Sequence, residues 1–196
     1  MRYAQFVTSA HPLHYDYVDY LASLEASTLK LEYRRGVMYA MAGGTRAHAQ
    51  LSASMIVALA GVLPEGCRVA TSDLKVRVEE LDLSTFPDAS VLCTEARPSP
   101  IDANAIVNPT LLVEVTSKST EVYDRGEKLT SYKMLEALRF VLIVSHRERR
   151  ITVVERGDGA AWSEREVYAG QRVALPFLGA SFSVDAVFDG IELDPA

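Results

Sequence analysis

Glu114 stands inside the run Leu111-Leu112-Val113-Glu114-Val115, where all of its neighbours are apolar. A carboxylate in such a run has to be paired, bound to a cation or led out to water at the strand end, because burying an unpaired charge is costly. Asp88 follows Pro87 and opens the short stretch Ala89–Cys93. Pro-Asp also begins many turns, so Asp88 takes its weight from Glu114. One carboxylate at a strand start and one in the next strand can converge on a single hard cation. Magnesium suits such a pair, since it takes a few carboxylate oxygens and fills its other positions with water and phosphate. Lys128 is the third group. On a helix beginning at Asp124, positions 128, 132 and 135 share a face, and Tyr132 and Leu135 read as core-facing. Lys128 therefore starts from the buried side; the alternative is a lysine that snorkels at the edge of the apolar stripe.

Other residues stand further back. Glu32 lies in an alternating stretch and either adds a carboxylate, orients a water or simply points outward. His48 falls in the first turn of a helix, as a site residue or as a partly buried polar one. Tyr132 reads as a core ring whose hydroxyl is free to bond a site residue. Arg147, Arg149 and Arg150 form a basic cluster, either a solvated turn or a weak phosphate contact. His11, His14 and His146 show no ligand spacing, and Cys67 and Cys93 form no CxxC, so they read as two reduced, buried thiols.

These groups need a scaffold, and hydrophobic periodicity supplies one. Tyr17, Leu21 and Leu24 predict a helix within His14–Ser27, and Leu29–Met41 alternates around Arg35-Gly36 as a hairpin. Thr45 can cap a helix whose apolar face carries Ala49, Leu51, Met55, Ile56 and Leu59, ending by Pro64. Leu74, Val76 and Val78 predict a half-buried strand, Ala89–Cys93 another, and 98–109 a loop rich in Pro, Asp and Asn. Leu111–Val115 and Phe140–Val144 read as strands buried on both faces, separated by a helix over Asp124–Leu138. Ile151–Glu155 alternates, and the tail from Gly157 reads as short strands and turns. The expected class is α/β, one mixed sheet flanked by helices, in a single domain over 1–196.

Of 196 residues, 48% are hydrophobic and 23% charged, an ordinary globular balance that needs no staple to fold. Twenty basic against 26 acidic residues give a net charge of −6. That argues against coating nucleic acid by bulk attraction, which rests on Lys and Arg, but leaves room for a local basic groove. Met1–Ala10 lacks the apolar core of a signal peptide. No apolar run reaches the roughly 20 residues that span a bilayer, so a cytoplasmic protein with no membrane partner is expected.

Taken in order, Pro87-Asp88, then Glu114-Val115-Thr116-Ser117, then Asp124-x3-Lys128-x3-Tyr132 resembles the Uma-type restriction endonucleases (Uma2, DUF820), a branch of the PD-(D/E)xK nuclease superfamily. Leu31-Glu32-Tyr33 through Gly36 to Met41, followed by His48, is similar to the same family, and the resemblance runs from about Tyr15 to Arg156. It implies a restriction-endonuclease-like core, with Asp88 and Glu114 holding Mg²⁺ (Mn²⁺ as a substitute) helped by the Val115 carbonyl. The superfamily lysine normally lies two residues past the acid, where this chain has Thr116; the family pattern moves it to Lys128. Lys118 stands where the family often has Pro and is a rival cation, and the aromatic pair common near the next strand is reduced to Phe140. The resemblance further implies a metal-dependent endonuclease acting on DNA, with a homodimer as one arrangement it allows. The competing classes are a non-catalytic nucleic-acid- or protein-binding module on the same fold, and hydrolysis of a small phosphodiester.

Overall fold

The computed structural model describes residues 14–41, 43–158 and 161–195. The Met1–Ala10 segment and His11 lie outside them.

Helix α1 (Tyr17–Ala26) is capped by the Asp16 carboxylate, which accepts from the Asp19 N–H at 2.8 Å. Strands β1 (Leu31–Arg34) and β2 (Val37–Ala40) form the expected hairpin. Its two turn residues, Arg35 and Gly36, both take positive φ, 46° and 85°, the mirror-image turn that matches the twist of paired strands. Helix α2 (Arg46–Ala60) is capped by the Thr45 hydroxyl and buries Leu51, Met55 and Leu59; of the other residues expected on its face, Ile56 is half-buried and Ala49 exposed. Then come β3 (Arg68–Thr71), β4 (Lys75–Val78), β5 (Leu83–Thr85), β6 (Ala89–Leu92), β7 (Pro98–Ser99), β8 (Asp102–Ile106) and β9 (Leu111–Val115). A helical stretch follows, made of α3 (Glu121–Tyr123), a π-helical turn (Asp124–Lys128) and α4 (Leu129–Tyr132). The chain closes with β10 (Phe140–Val144), β11 (Arg150–Arg156), β12 (Trp162–Tyr168), β13 (Arg172–Leu175), β14 (Ala180–Ser183) and α5 (Val184–Phe188).

The mixed α/β class holds, but the strands divide between two large sheets instead of one. Their orders are β2-β1-β5-β4-β8-β7 and β12-β11-β10-β9-β6-β3, with β13-β14 as a separate ribbon. The alternation of β9 and β10 explains the division. Leu111, Val113, Val115, Phe140, Leu142 and Val144 pack in one core with Leu51, Met55 and Leu59 of α2. Leu112, Val141 and Ile143 pack in a second core with Val76, Val78 and Leu83 of the other sheet and with Leu129 and Tyr132. The second sheet is therefore covered on both faces, which is why these two strands read as unbroken apolar runs.

Several expectations are corrected. Strand β4 is buried on both faces, not half-buried. Lys75 pairs with Asp102 at 2.6 Å, Arg77 with Asp82 at 2.6 Å, and the Tyr17 ring covers the Arg77 guanidinium at 3.8 Å, so α1 roofs the face that alternation assigns to water. The 98–109 loop contains the β7–β8 hairpin, with β8 running parallel to β4. The helix expected over Asp124–Leu138 begins at Glu121 and ends at Tyr132; Leu135 and Leu138 stay buried as turn residues. The tail adds α5. The cysteines are bonded to each other and only partly buried. The antiparallel β3–β6 register pairs Arg68 with Leu92, so Cys67 and Cys93 are the next cross-strand neighbours, with Cα atoms 3.9 Å apart. Spacing along the chain carries no trace of that pairing. Among the described residues no helix is long and apolar enough to cross a membrane.

Candidate active site

Strand β9 turns Glu114, with Leu112, toward the second core, where only 4% of Glu114 remains exposed. The π-helical turn meets it there. A wide turn of this kind often marks a functional site, and here it holds Asp124 and Lys128, both buried, on the same side. The Lys128 Nζ lies 2.9 Å from Glu114 Oε1, 3.3 Å from Glu32 Oε1 and 3.8 Å from Asp124 Oδ1. One turn on, the Tyr132 hydroxyl donates to Glu114 Oε1 at 2.5 Å. Glu32, on β1, is fixed by the Thr85 hydroxyl and by the Phe86 N–H at 3.3 Å.

Asp88 arrives from the neighbouring strand. The β6–β9 register pairs Ala89 with Val113, so one step further Asp88 reaches the end of β9. Its Oδ2 accepts the Val115 N–H at 2.7 Å. Its Oδ1 accepts from the Ser52 hydroxyl at 3.3 Å and lies 3.4 Å from His48 Nε2, both on α2. Thr45, which caps α2, thereby sets His48 in the first turn. A cavity of about 730 Å³ opens over this arrangement, and Glu32, Asp88, Glu114, Val115, Asp124 and Lys128 all line it.

Charge at its floor is unbalanced. Burial, and then the negative charge of Asp124 and Asp88, pushes the Glu114 carboxyl up to about 8, although Lys128 and the Tyr132 hydrogen bond act the other way. Burial alone would lower Lys128, but Glu114, Tyr132, Glu32 and Asp124 outweigh it and hold the ammonium well above its ordinary value. Asp124 is raised, chiefly by burial. His48 is raised, first by its hydrogen bond to Asp88. A single ammonium thus faces several buried carboxylates, and Glu114 keeps its proton near neutral pH. Such a site gains from a further cation, and the donors that Asp88, Glu114 and the Val115 carbonyl would offer are hard oxygens. Among the described residues no three His, Cys, Asp or Glu side chains stand ready as a metal cluster. Magnesium does not require one: a carboxylate pair, a carbonyl and waters suffice.

Asp88, Glu114, Val115, Lys128, Glu32, His48 and Tyr132 are thus gathered around one cavity or against its floor. Lys118 is exposed and lines the cavity from its outer side. Thr116 is buried, its hydroxyl 2.8 Å from His146 Nδ1. Arg150 pairs with Glu148 and Glu166, and Arg147 lies 3.8 Å from Glu121; the arginine cluster does not line the cavity. Sequence reasoning passed over Asp124 as a site residue, although its place four residues before Lys128 puts it on the same helix face. It also missed Thr85, Ser52, Arg34, Tyr39 and Tyr123, which no local spacing connects to Glu114.

A family profile described as "Putative restriction endonuclease" matches residues 16–187. An uncharacterized protein of Synechocystis sp. is 34% identical over 177 residues, 88% of this chain and 90% of that one. A second from the same organism is 25% identical over 164 residues, 81% and 90% of the two chains. Among solved structures, "a putative nuclease belonging to DUF820" from Anabaena variabilis superposes with a TM-score of 0.71 at 15% identity, covering 89% of this chain and 98% of that one. That likeness is one of fold.

Proposed function

The chain belongs to the Uma2 restriction endonuclease family, and from that premise we propose that it is a metal-dependent endonuclease hydrolysing phosphodiester bonds in DNA. The observation that carries the reading is Glu114, a carboxylate near the end of a buried strand, gripped by Lys128 and Tyr132 and sharing a cavity with Asp88. Asp88, Glu114 and the Val115 carbonyl would hold Mg²⁺ or Mn²⁺. Such an ion, when bound, polarises a phosphate and lowers the pKa of a water.

The protein's own groups divide the remaining work. Ser52 and the Val115 N–H fix Asp88, so that its carboxylate is aimed before substrate arrives. To serve as a ligand Glu114 would release its proton to water, and the Tyr132 hydroxyl would go on donating to the carboxylate. Lys128, oriented by Glu32 and Asp124, presents a positive charge to the phosphate as negative charge builds on it, an electrostatic role.

Calorimetric titration with Mn²⁺ is expected to reveal one site that Asp88→Asn or Glu114→Gln removes, with loss of cleavage of a DNA panel in the same variants. The close approach of the Lys128 ammonium to Glu114 favours one other reading, since it places a cation where a metal ion would otherwise sit. On that reading the chain is a binding module. It predicts that wild type and Asp88→Asn bind DNA alike and that neither cuts it.

A further inference from the structure

Around the mouth of the same cavity the side chains change character. Arg34 projects from β1 between two tyrosine rings, with its guanidinium 5.0 Å from the Tyr39 ring centroid and 5.1 Å from that of Tyr123. It also donates to the Tyr39 hydroxyl at 2.8 Å and pairs with Glu127 at 2.5 Å. Tyr39 keeps 42% of its surface exposed, and Arg34, Tyr39, Tyr123 and Phe86 all line the cavity that ends on Glu114 and Lys128. Tyr39 lies on β2, an edge strand, so its ring is not committed to a sheet neighbour on the outer side.

Three properties of this mouth point the same way. Arg34 is pre-organised: two rings and a hydroxyl fix its plane. Its partner Glu127 is 55% exposed, and an exposed pair of this kind contributes little, so a phosphate can take its place. The proposed chemistry lies below, where Lys128 and Glu114 are each 4% exposed. A phosphate on the outside of a stacked duplex does not reach such a floor unless the strand itself enters. With a net charge of −6, the protein offers little general attraction to a backbone, so contacts to base faces have to contribute. Aromatic rings and arginine planes at the head of a groove are what unpaired bases stack on.

We propose that this mouth receives unpaired DNA: Arg34 takes a phosphate next to the one cleaved, and the open face of Tyr39 stacks on the adjoining base. The substrate strand is then single-stranded at the site, as a free strand, a flap or an opened duplex end. This rests on the nuclease reading above and adds the form of its substrate.

The test uses the full chain with Ca²⁺ in place of Mg²⁺, a short fluorescent oligo(dT), and a duplex of the same length, read by anisotropy. The single strand is expected to bind at least about tenfold more tightly than the duplex. Tyr39→Ala is expected to lose about tenfold to a hundredfold for the single strand, the cost of one stacked base. Tyr39→Phe, which keeps the ring and loses only the Arg34 hydrogen bond, should stay close to wild type. Arg34→Ala should lower the salt dependence by about one phosphate contact. Equal or tighter duplex binding, or a Tyr39→Ala protein that binds as wild type does, overturns the proposal. If Asp88-dependent cleavage of duplex survives alongside either result, the nuclease reading stands without it. A protein that binds and cuts neither form overturns both.

Discussion

Replacing Glu114 by Gln separates a metal ligand from a structural ion pair, and its effect has to depend on pH. The carboxyl lies at about 8 in the folded protein, against an ordinary 4.5. Folding therefore favours its neutral form. The stability this contributes is fully present below about pH 4.5 and is lost as pH rises through about 8, because the unfolded chain ionises first. At about 1.4 kcal/mol per pH unit, holding an ionised Glu114 in the fold at pH 9 costs about 5 kcal/mol, with the attraction of Lys128 already counted. Gln keeps the shape and the acceptor for Tyr132 and cannot ionise. In EDTA, Glu114→Gln is expected to match wild type near pH 5 and to exceed it by about 2–5 kcal/mol near pH 9. For a chain of this length that is roughly 5–15 °C in Tm. Melts of both proteins at the two pH values read it directly. A variant destabilised by about 3–5 kcal/mol at both, as for a broken buried pair, would refute the reasoning and make Glu114 a structural residue.

Other outcomes follow from the same geometry. Mn²⁺ affinity should rise with pH up to about 8 and then level off, because Glu114 releases a proton on binding; calorimetry in buffers of differing ionisation enthalpy would count it, and a flat profile would contradict the shift. Lys128→Ala should lower cleavage by roughly 10²–10³. Lys118→Ala, which alters an exposed group at the rim, should weaken DNA binding and its salt dependence while leaving the chemical step intact; single-turnover rates separate the two, and the opposite pattern would move the catalytic role to Lys118. Reducing the Cys67–Cys93 bond, which closes a 26-residue separation, should cost about 3.5 kcal/mol on loop entropy, measurable as a shift in the urea midpoint with and without reductant.

Much of the candidate site was legible because it breaks local rules. Glu114 violates an apolar run, and Lys128 shares a helix face with Tyr132; both anomalies are visible without a structure. Strands β9 and β10 were equally plain, since cover on both faces leaves no polar alternation. What stayed hidden depends on partners distant in the chain. Lys75 and Arg77 look like solvent-facing residues until α1 closes over them with Asp102 and Tyr17. The disulfide rests on the β3–β6 register, and the second large sheet on which faces α2 and α4 cover. Arg34 is an ordinary strand residue beside the Arg35-Gly36 turn and acquires meaning only once Tyr123, far along the chain, is folded against it.

The most direct test of a metal-holding Asp88–Glu114 pair is a crystal of the protein soaked in Mn²⁺ at about pH 8, where Glu114 gives up its proton, examined by anomalous scattering. A peak within bonding distance of both carboxylates and the Val115 carbonyl, with the Lys128 ammonium displaced from Glu114, is the predicted result. Full Lys128–Glu114 contact with no peak between Asp88 and Glu114 at saturating Mn²⁺ would contradict it.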